Sequence, residues 1–297
     1  MGKKISLVLS GGGARGLAHI GVIEELEKRG YEIVSIAGTS MGAFIGGIYA
    51  LGKLEEFKKW ALTFDKIKLF DIIDFSFNRQ GLIKGVRVFN IIKKFIPDKN
   101  IEELNIPYVA TAVDLLTNQE YVFTEGSLYT AIRASISIPT VFTPVSYNGC
   151  MLVDGGLMDN IPTKNIKRVK GDMLVAVDVN AFVPLAKPPF AKEKKKQLAQ
   201  TNKKNILFFK SFLKSKGKAE KEVFNYFEII NKSIMLMTQQ IAIDAMKKCP
   251  PDLLIQISHN AASTFDFLKT EELIELGRYA TAKELDKIKP KKIGLFG

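Results

Sequence analysis

Residues 5–9, ISLVL, form a short apolar run that stops at the glycines of GGGARG. Residues 17–29, LAHIGVIEELEKR, follow with apolar positions near helical spacing, and Gly30 ends them. The pattern then repeats, with EIVSIAG reading as a second strand and MGAFIGGIYALG as a second helix. Apolar runs this short and unbroken are strands buried on both faces, and glycine marks their boundaries. Strand, glycine turn and helix in alternation constrain the fold more than any other feature of the chain. They predict an α/β fold: a three-layer sandwich with a mostly parallel sheet between helices.

Later segments extend the same sheet. IPYVATAVDL and EYVFTEG read as strands joined by the turn LTNQ, and LYTAIRASISI reads as a helix ending before Pro139. CMLVDGGLMD is a strand running into a glycine turn, MLVAVDVN is another buried strand, and DLLIQIS is a late one after the breaker Pro250-Pro251. TEELIELGRYATAKELDKI closes the chain as an amphipathic helix with Thr270 in the place of an N-cap. VFNYFEIINKSIMLMTQQIAIDAM is a long helix whose Met-rich stripe is expected to pack into the core. No internal repeat is evident, so residues 1–297 are read as one α/β domain.

Hydrophobic residues make up 46% of the 297, enough for a large core and far from a disordered composition. Cys150 and Cys249 make no disulfide framework and read as reduced cysteines of a cytoplasmic protein. No window approaches the roughly 18 apolar residues of a spanning helix. The start, MGKKIS, fits the lipidation pattern M-G-x-x-x-[ST], but Ser6 already lies in the first predicted strand. The net charge of +12 is concentrated: residues 187–222 hold twelve lysines and three acids, nine of the twelve net charges. The head of that segment reads as a solvated loop, and ILFFKSFLK then interleaves Phe208, Phe209, Phe212 and Leu213 with Lys210 and Lys214. A Lys-rich flexible insertion at 187–222 is therefore expected, with peripheral contact to anionic membranes as its use. No nucleic-acid partner is expected.

Two motifs carry chemistry. GTSMG (Gly38, Thr39, Ser40, Met41, Gly42) matches G-x-S-x-G where the second strand gives way to the second helix, the context this motif needs. The sharp turn projects the Ser40 hydroxyl out of the sheet, and the helix directs the positive end of its dipole toward it. A nucleophilic serine needs a base. His19 lies in the first helix and His259 follows the last strand in a polar stretch, and neither is placed like the distal member of a triad. Asp154, followed by Gly155 and Gly156, ends a strand, and ligands in open α/β sheets bind at the strands' carboxyl edge. A carboxylate there that took the serine proton directly would give a Ser40–Asp154 dyad, although an Asp-Gly standing alone is more simply read as a turn.

The first turn is ambiguous on its own. Gly11, Gly13 and Gly16 fit G-x-G-x-x-G, which serves either a dinucleotide phosphate or a developing oxyanion. A dinucleotide turn wants an acid about 20 residues further on, at the end of the second strand. Here that strand ends in Ala37-Gly38 and the serine elbow follows.

GGGARG, GTSMG and DGG in this order resemble the patatin-like phospholipases of the bacterial type. QGLIKG (80–85), ASISIPTVFTPV (134–145), VAVDVN and the closing helix add to the resemblance, which covers roughly residues 5–182 and 230–290. It implies Ser40 as nucleophile, Asp154 as general base, and the amides of Gly11, Gly12, Gly13, Ala14, Arg15 and Gly16 as the oxyanion hole. It implies no metal and no cofactor. The expected activity is hydrolysis of phospholipid or lysophospholipid esters. A nucleotide-binding protein, an acyltransferase and a catalytically silent lipid-binding module stand as alternatives. For Arg15, the backbone amide is the favoured contribution, with a charge toward a lipid phosphate or a structural ion pair beside it.

Overall fold

A computed structural model describes residues 3–63, 86–97, 99–139, 141–186, 188 and 226–288. QGLIKG and, Pro188 apart, the Lys-rich segment 187–222 lie outside the described residues.

The described residues build an eight-stranded sheet: β1 (Lys3–Leu9), β2 (Tyr31–Thr39), β3 (Tyr108–Asp114), β4 (Gln119–Phe123), β5 (Val145–Tyr147), β6 (Cys150–Asp154), β7 (Met173–Ala181) and β8 (Leu253–Ser258). The order is β5-β6-β3-β2-β1-β7-β8, with β4 added to β3. The five strands β3, β2, β1, β7 and β8 run parallel, and β4, β5 and β6 join through antiparallel pairs. The sheet is thus mixed and mostly parallel, and flanked by helices as its sequence pattern predicts.

Seven α-helices are described: α1 (Ala18–Lys28), α2 (Met41–Ala50), α3 (Leu54–Ala61), α4 (Val86–Phe95), α5 (Leu128–Ser135), α6 (Tyr226–Lys248) and α7 (Thr270–Leu285). The two faces of the sheet are covered unequally. Ile5, Leu7 and Leu9 of β1 point into a large cluster with α1 to α5 and α7, while Val8 points into a smaller one with Ile161, Ile166 and Ala242 of α6. The period-two alternation of side chains makes this division. Helices α1 and α7 meet backbone to backbone: a Cβ at Gly21 would run into the Ile274 carbonyl, and one at Gly277 into that of Ala18.

Two sequence expectations need correction. The α7 N-cap is Lys269, not Thr270, whose hydroxyl instead donates to the Phe267 carbonyl at 2.7 Å. A 3-10 turn, Phe267–Lys269, leads straight into the helix, so the threonine is already inside it. The Met-rich stretch of α6 is core only in its second half, where Ala242 is buried and Met246 packs against the smaller cluster; Leu236 is 49% and Met237 58% exposed, and Met235 is half-buried at the edge of a cavity.

The register at β3 decides where chemistry can occur. β2 pairs with β3 as far as Thr39 opposite Thr111, and β6 pairs with the overhang beyond it, Asp154 opposite Ala112. β4 occupies the other edge over both stretches. The carboxyl ends of β2 and β6 therefore meet head-on along one edge of β3. Asp154 reaches the sheet's carboxyl edge on a strand that runs against its parallel neighbours.

Candidate active site

Ser40 joins β2 to α2 with φ 53° and ψ −122°. A side chain at positive φ is strained and persists only where its surroundings fix it. They do so here by crowding: a Cβ at Gly38 would lie 2.5 Å from the Ala43 nitrogen, and one at Gly42 would run into the Leu9 carbonyl. The helix thus begins directly against the ends of β1 and β2. From the other side the Ser40 amide donates to the Ser135 hydroxyl of α5 at 2.8 Å. Thr39 is held too, its hydroxyl donating to the Asp159 carbonyl at 2.8 Å and lying 2.7 Å from the Thr111 hydroxyl.

Asp154 faces Ser40 across the junction of β2 and β6, and the two side chains line the same cavity. The Gly156 amide donates to Asp154 Oδ1 at 2.8 Å. Gly155 must be small because a Cβ there would lie 2.5 Å from the Thr111 carbonyl oxygen. Burial pushes the Asp154 carboxyl up from the ordinary 3.8 to about 6, while the Ser40 side chain and the Gly156 amide pull it back. A carboxylate in that range is still ionised at neutral pH and is a stronger proton acceptor than an exposed one.

The glycine-rich turn lies beside this pair. The Gly11 amide donates to the Asn160 carbonyl at 3.2 Å and the Ala14 amide to the Thr264 carbonyl at 2.8 Å. The amides of Gly12 and Gly13 have no acceptor among the described residues. Gly16 has another task, since a Cβ there would collide with the Met41 side chain. The Arg15 guanidinium is turned inward, donating to Asn180 Oδ1 from Nε at 3.1 Å and Nη2 at 2.7 Å, and to the Ala262 carbonyl at 2.8 Å. Asn180 Nδ2 in turn donates to the Gly11 carbonyl at 2.7 Å. Asp178 accepts from the Asn180 amide and from Gln239 of α6, which fastens that helix to the end of β7.

The histidines fall apart in role. His19 is fully buried with Nε2 2.8 Å from the Ser10 carbonyl. Burial pushes its basicity down to about 4 against that bond, so the ring is neutral, donates to Ser10 and braces the turn. His259 has Nδ1 3.3 Å from the Ala181 carbonyl and its ring edge-on to Phe182.

Ser40 and Asp154 open into a cavity of about 680 Å³, lined also by Gly11, Gly12, Gly13, Arg15 and Gly156. Its lining mixes apolar side chains, among them Ile138, Val141, Leu157, Ile234, Met235 and Phe265, with polar ones, among them Lys232, Thr238, Asn260 and Lys269. A cavity lined by both kinds can hold a ligand with apolar and polar parts. The sequence-predicted residues Ala14, Gly16, Gly38, Thr39, Met41, Gly42 and Gly155 do not line it and form its frame. Ser135, Asn160, Asn180 and the 259–269 loop escaped the sequence reading. Only the position of Asn180 at the end of VAVDVN hinted at a part for it. Among the described residues no group of three or more His, Cys, Asp and Glu could hold a metal ion. No helix among them is long and apolar enough to cross a membrane.

The model of the family described as patatin-like phospholipase matches residues 7–166. An uncharacterized NTE family protein of Mycobacterium tuberculosis is 30% identical over 331 residues, covering 95% of this chain and 91% of its own length. Lysophospholipase NTE1 of Candida albicans is 33% identical over 184 residues, covering 60% of this chain and 13% of the fungal protein. The crystal structure of VipD from Legionella pneumophila aligns with 96% of this chain and 67% of its own, at a TM-score of 0.45 and 15% identity. With a family model matched over more than half of its length and a relative aligned almost end to end, the chain belongs to the patatin-like phospholipase family.

Proposed function

We propose that the protein is a serine esterase of the phospholipase A or lysophospholipase type, with Ser40 as nucleophile and Asp154 as base. The observation that carries this reading is that Ser40, on its strained turn, and the buried Asp154 line one cavity together with the glycine-rich turn. Asp154 accepts the proton as Ser40 Oγ attacks the ester carbonyl. The resulting oxyanion faces the Gly12 and Gly13 amides, a narrower hole than the six-residue turn. Each such donor is worth about 10²–10³ in rate. Asp154 then protonates the departing alcohol, and water cleaves the acyl-Ser40 ester. Lysophosphatidylcholine should release free fatty acid. Failure to hydrolyse either this lipid or a short soluble ester would reject the reading.

The raised Asp154 carboxyl gives the proposal a pH signature. A base must be ionised, so kcat/KM should climb about tenfold per pH unit below pH 6 and level off above it. A profile flat from pH 4.5 to 8 would remove Asp154 from the role of base. Ser40, Asp154 and the turn amides supply every step, so hydrolysis should continue unchanged in excess EDTA. Loss of activity restored by one defined metal would refute that.

Peripheral membrane contact belongs to the same proposal and rests on the sequence of residues 187–222. Lysines near an anionic bilayer contribute about 1 kcal/mol each. Changing Lys194, Lys195, Lys196, Lys203 and Lys204 to Glu should weaken sedimentation with phosphatidylserine vesicles and slow hydrolysis there. Cleavage of a short soluble ester should hold. Undiminished vesicle binding at low salt would leave the segment as a solvated loop.

A further inference from the structure

Asn160 is 6% exposed and lines the cavity, yet its carboxamide has no hydrogen-bond partner among the described residues. A carboxamide held on a nearly buried residue and left unpaired at a cavity is available to a bound molecule. Its backbone is fixed: the carbonyl accepts from the Gly11 amide, and its neighbour Asp159 offers a carbonyl to Thr39. The side chain sits between two glycines of the site. A Cβ built on Gly156 would lie 3.1 Å from both Asn160 Oδ1 and Asp154 Oδ1. A Cβ built on Gly11 would lie 2.5 Å from Asn160 Oδ1 and 3.0 Å from Ser40 Cβ. These distances set Asn160 Oδ1 within about 6 Å of both Asp154 Oδ1 and Ser40 Cβ, so two acceptors, one ionisable and one neutral, stand beside the nucleophile.

Two acceptors this close together match a group that carries two protons. The Ser40 hydroxyl and an alcohol leaving group each bring one, whereas water brings two. We infer that Asn160 orients the water that cleaves the acyl-enzyme, an assignment that rests on the Ser40–Asp154 reading above. Water donates one proton toward Asp154 and the other to Asn160 Oδ1, which turns a lone pair to the acyl carbon. The new C–O bond forms at that carbon and the bond to Ser40 Oγ breaks. Asp154 takes the first proton and returns it to Ser40 Oγ. The second stays on the carboxylic acid product until it ionises in solvent. An alcohol acceptor needs Asp154 alone, so Asn160 favours hydrolysis over acyl transfer.

The test compares wild type with Asn160→Leu and Asn160→Asp on a p-nitrophenyl ester. Asn160→Leu keeps the branched outline of four side-chain heavy atoms and cannot accept a hydrogen bond. It should give a burst of about one equivalent of nitrophenol, then a steady state slower by about tenfold, the loss of one hydrogen bond. Intact mass should show the acyl group accumulating, and added methanol should raise the share of methyl ester. Asn160→Asp retains an acceptor and should not accumulate acyl-enzyme above pH 7. The inference is overturned if Asn160→Leu slows the burst and the steady state together, or if neither the steady state nor the methanol partition changes. A wild type that forms no acyl-enzyme and hydrolyses no ester would instead reject the function proposed above.

Discussion

Ser40→Ala lowers ester hydrolysis by about 10⁴-fold or more, the range seen when a nucleophile that acts as one unit with its base is removed. The fold survives the change. Ser40 occupies positive φ in a turn fixed by crowding at Gly38 and Gly42 and by the Ser135 hydroxyl, and none of these contacts uses its side chain. Circular dichroism and the melting temperature should stay close to wild type while free fatty acid release falls to background. A well-folded Ser40→Ala protein that retained even a tenth of the activity would exclude Ser40 as nucleophile.

Asp154→Asn is expected to be nearly as inactive, by about 10⁴-fold, because an amide cannot accept the serine proton. It is also expected to be more stable at neutral pH, and a purely structural aspartate would not behave so. The folded protein holds the Asp154 carboxyl near 6 against an ordinary 3.8, mainly through burial. Between those values the folded state binds more protons than the unfolded chain, so the wild type loses stability as pH rises from about 4 to about 6. Above pH 6 the full cost is present, on the order of 2–3 kcal/mol at about 1.4 kcal/mol per tenfold change. Asn, close in shape to the protonated acid, escapes it. Urea titrations at pH 7 should therefore place the variant above the wild type, and the gap should close near pH 4. A destabilised Asp154→Asn at pH 7 would mean that the carboxylate is a net support of the fold. His19→Gln, by contrast, should cost stability through the lost Ser10 contact without changing the pH dependence of kcat/KM.

The parts of the fold that were legible in the sequence are those set by local pattern. β1, α1, β2 and α2 follow from apolar runs and glycine stops, and their observed bounds differ from the predicted ones by a few residues. The direction of β6 was not legible. CMLVD is too short to reveal which way it runs, and only its pairing with the β3 overhang sets Asp154 against Ser40. The Met-rich stripe of α6 divides between core at Met246 and exposure at Met237, because an apolar segment reads the same whether it faces a core or the rim of a cavity. At the site, glycine motifs announced themselves because close backbone approach leaves no other choice. Single polar residues such as Asn160, Asn180 and Ser135 gave little signal. Each acts through a partner more than a hundred residues away or close to it, as Asn180 does with Gly11 and Ser135 with Ser40.

The pairing of Ser40 with Asp154 is tested most directly by the rate of fluorophosphonate labelling as a function of pH, with the adduct mapped by mass spectrometry. The adduct should lie on Ser40 in the tryptic peptide 30–53, distinguished by fragmentation from the fully buried Ser35. Its rate of formation should follow one ionisation near pH 6 in the wild type and collapse at every pH in Asp154→Asn. An adduct on another residue, or a Ser40 adduct forming equally fast in Asp154→Asn, would contradict the dyad.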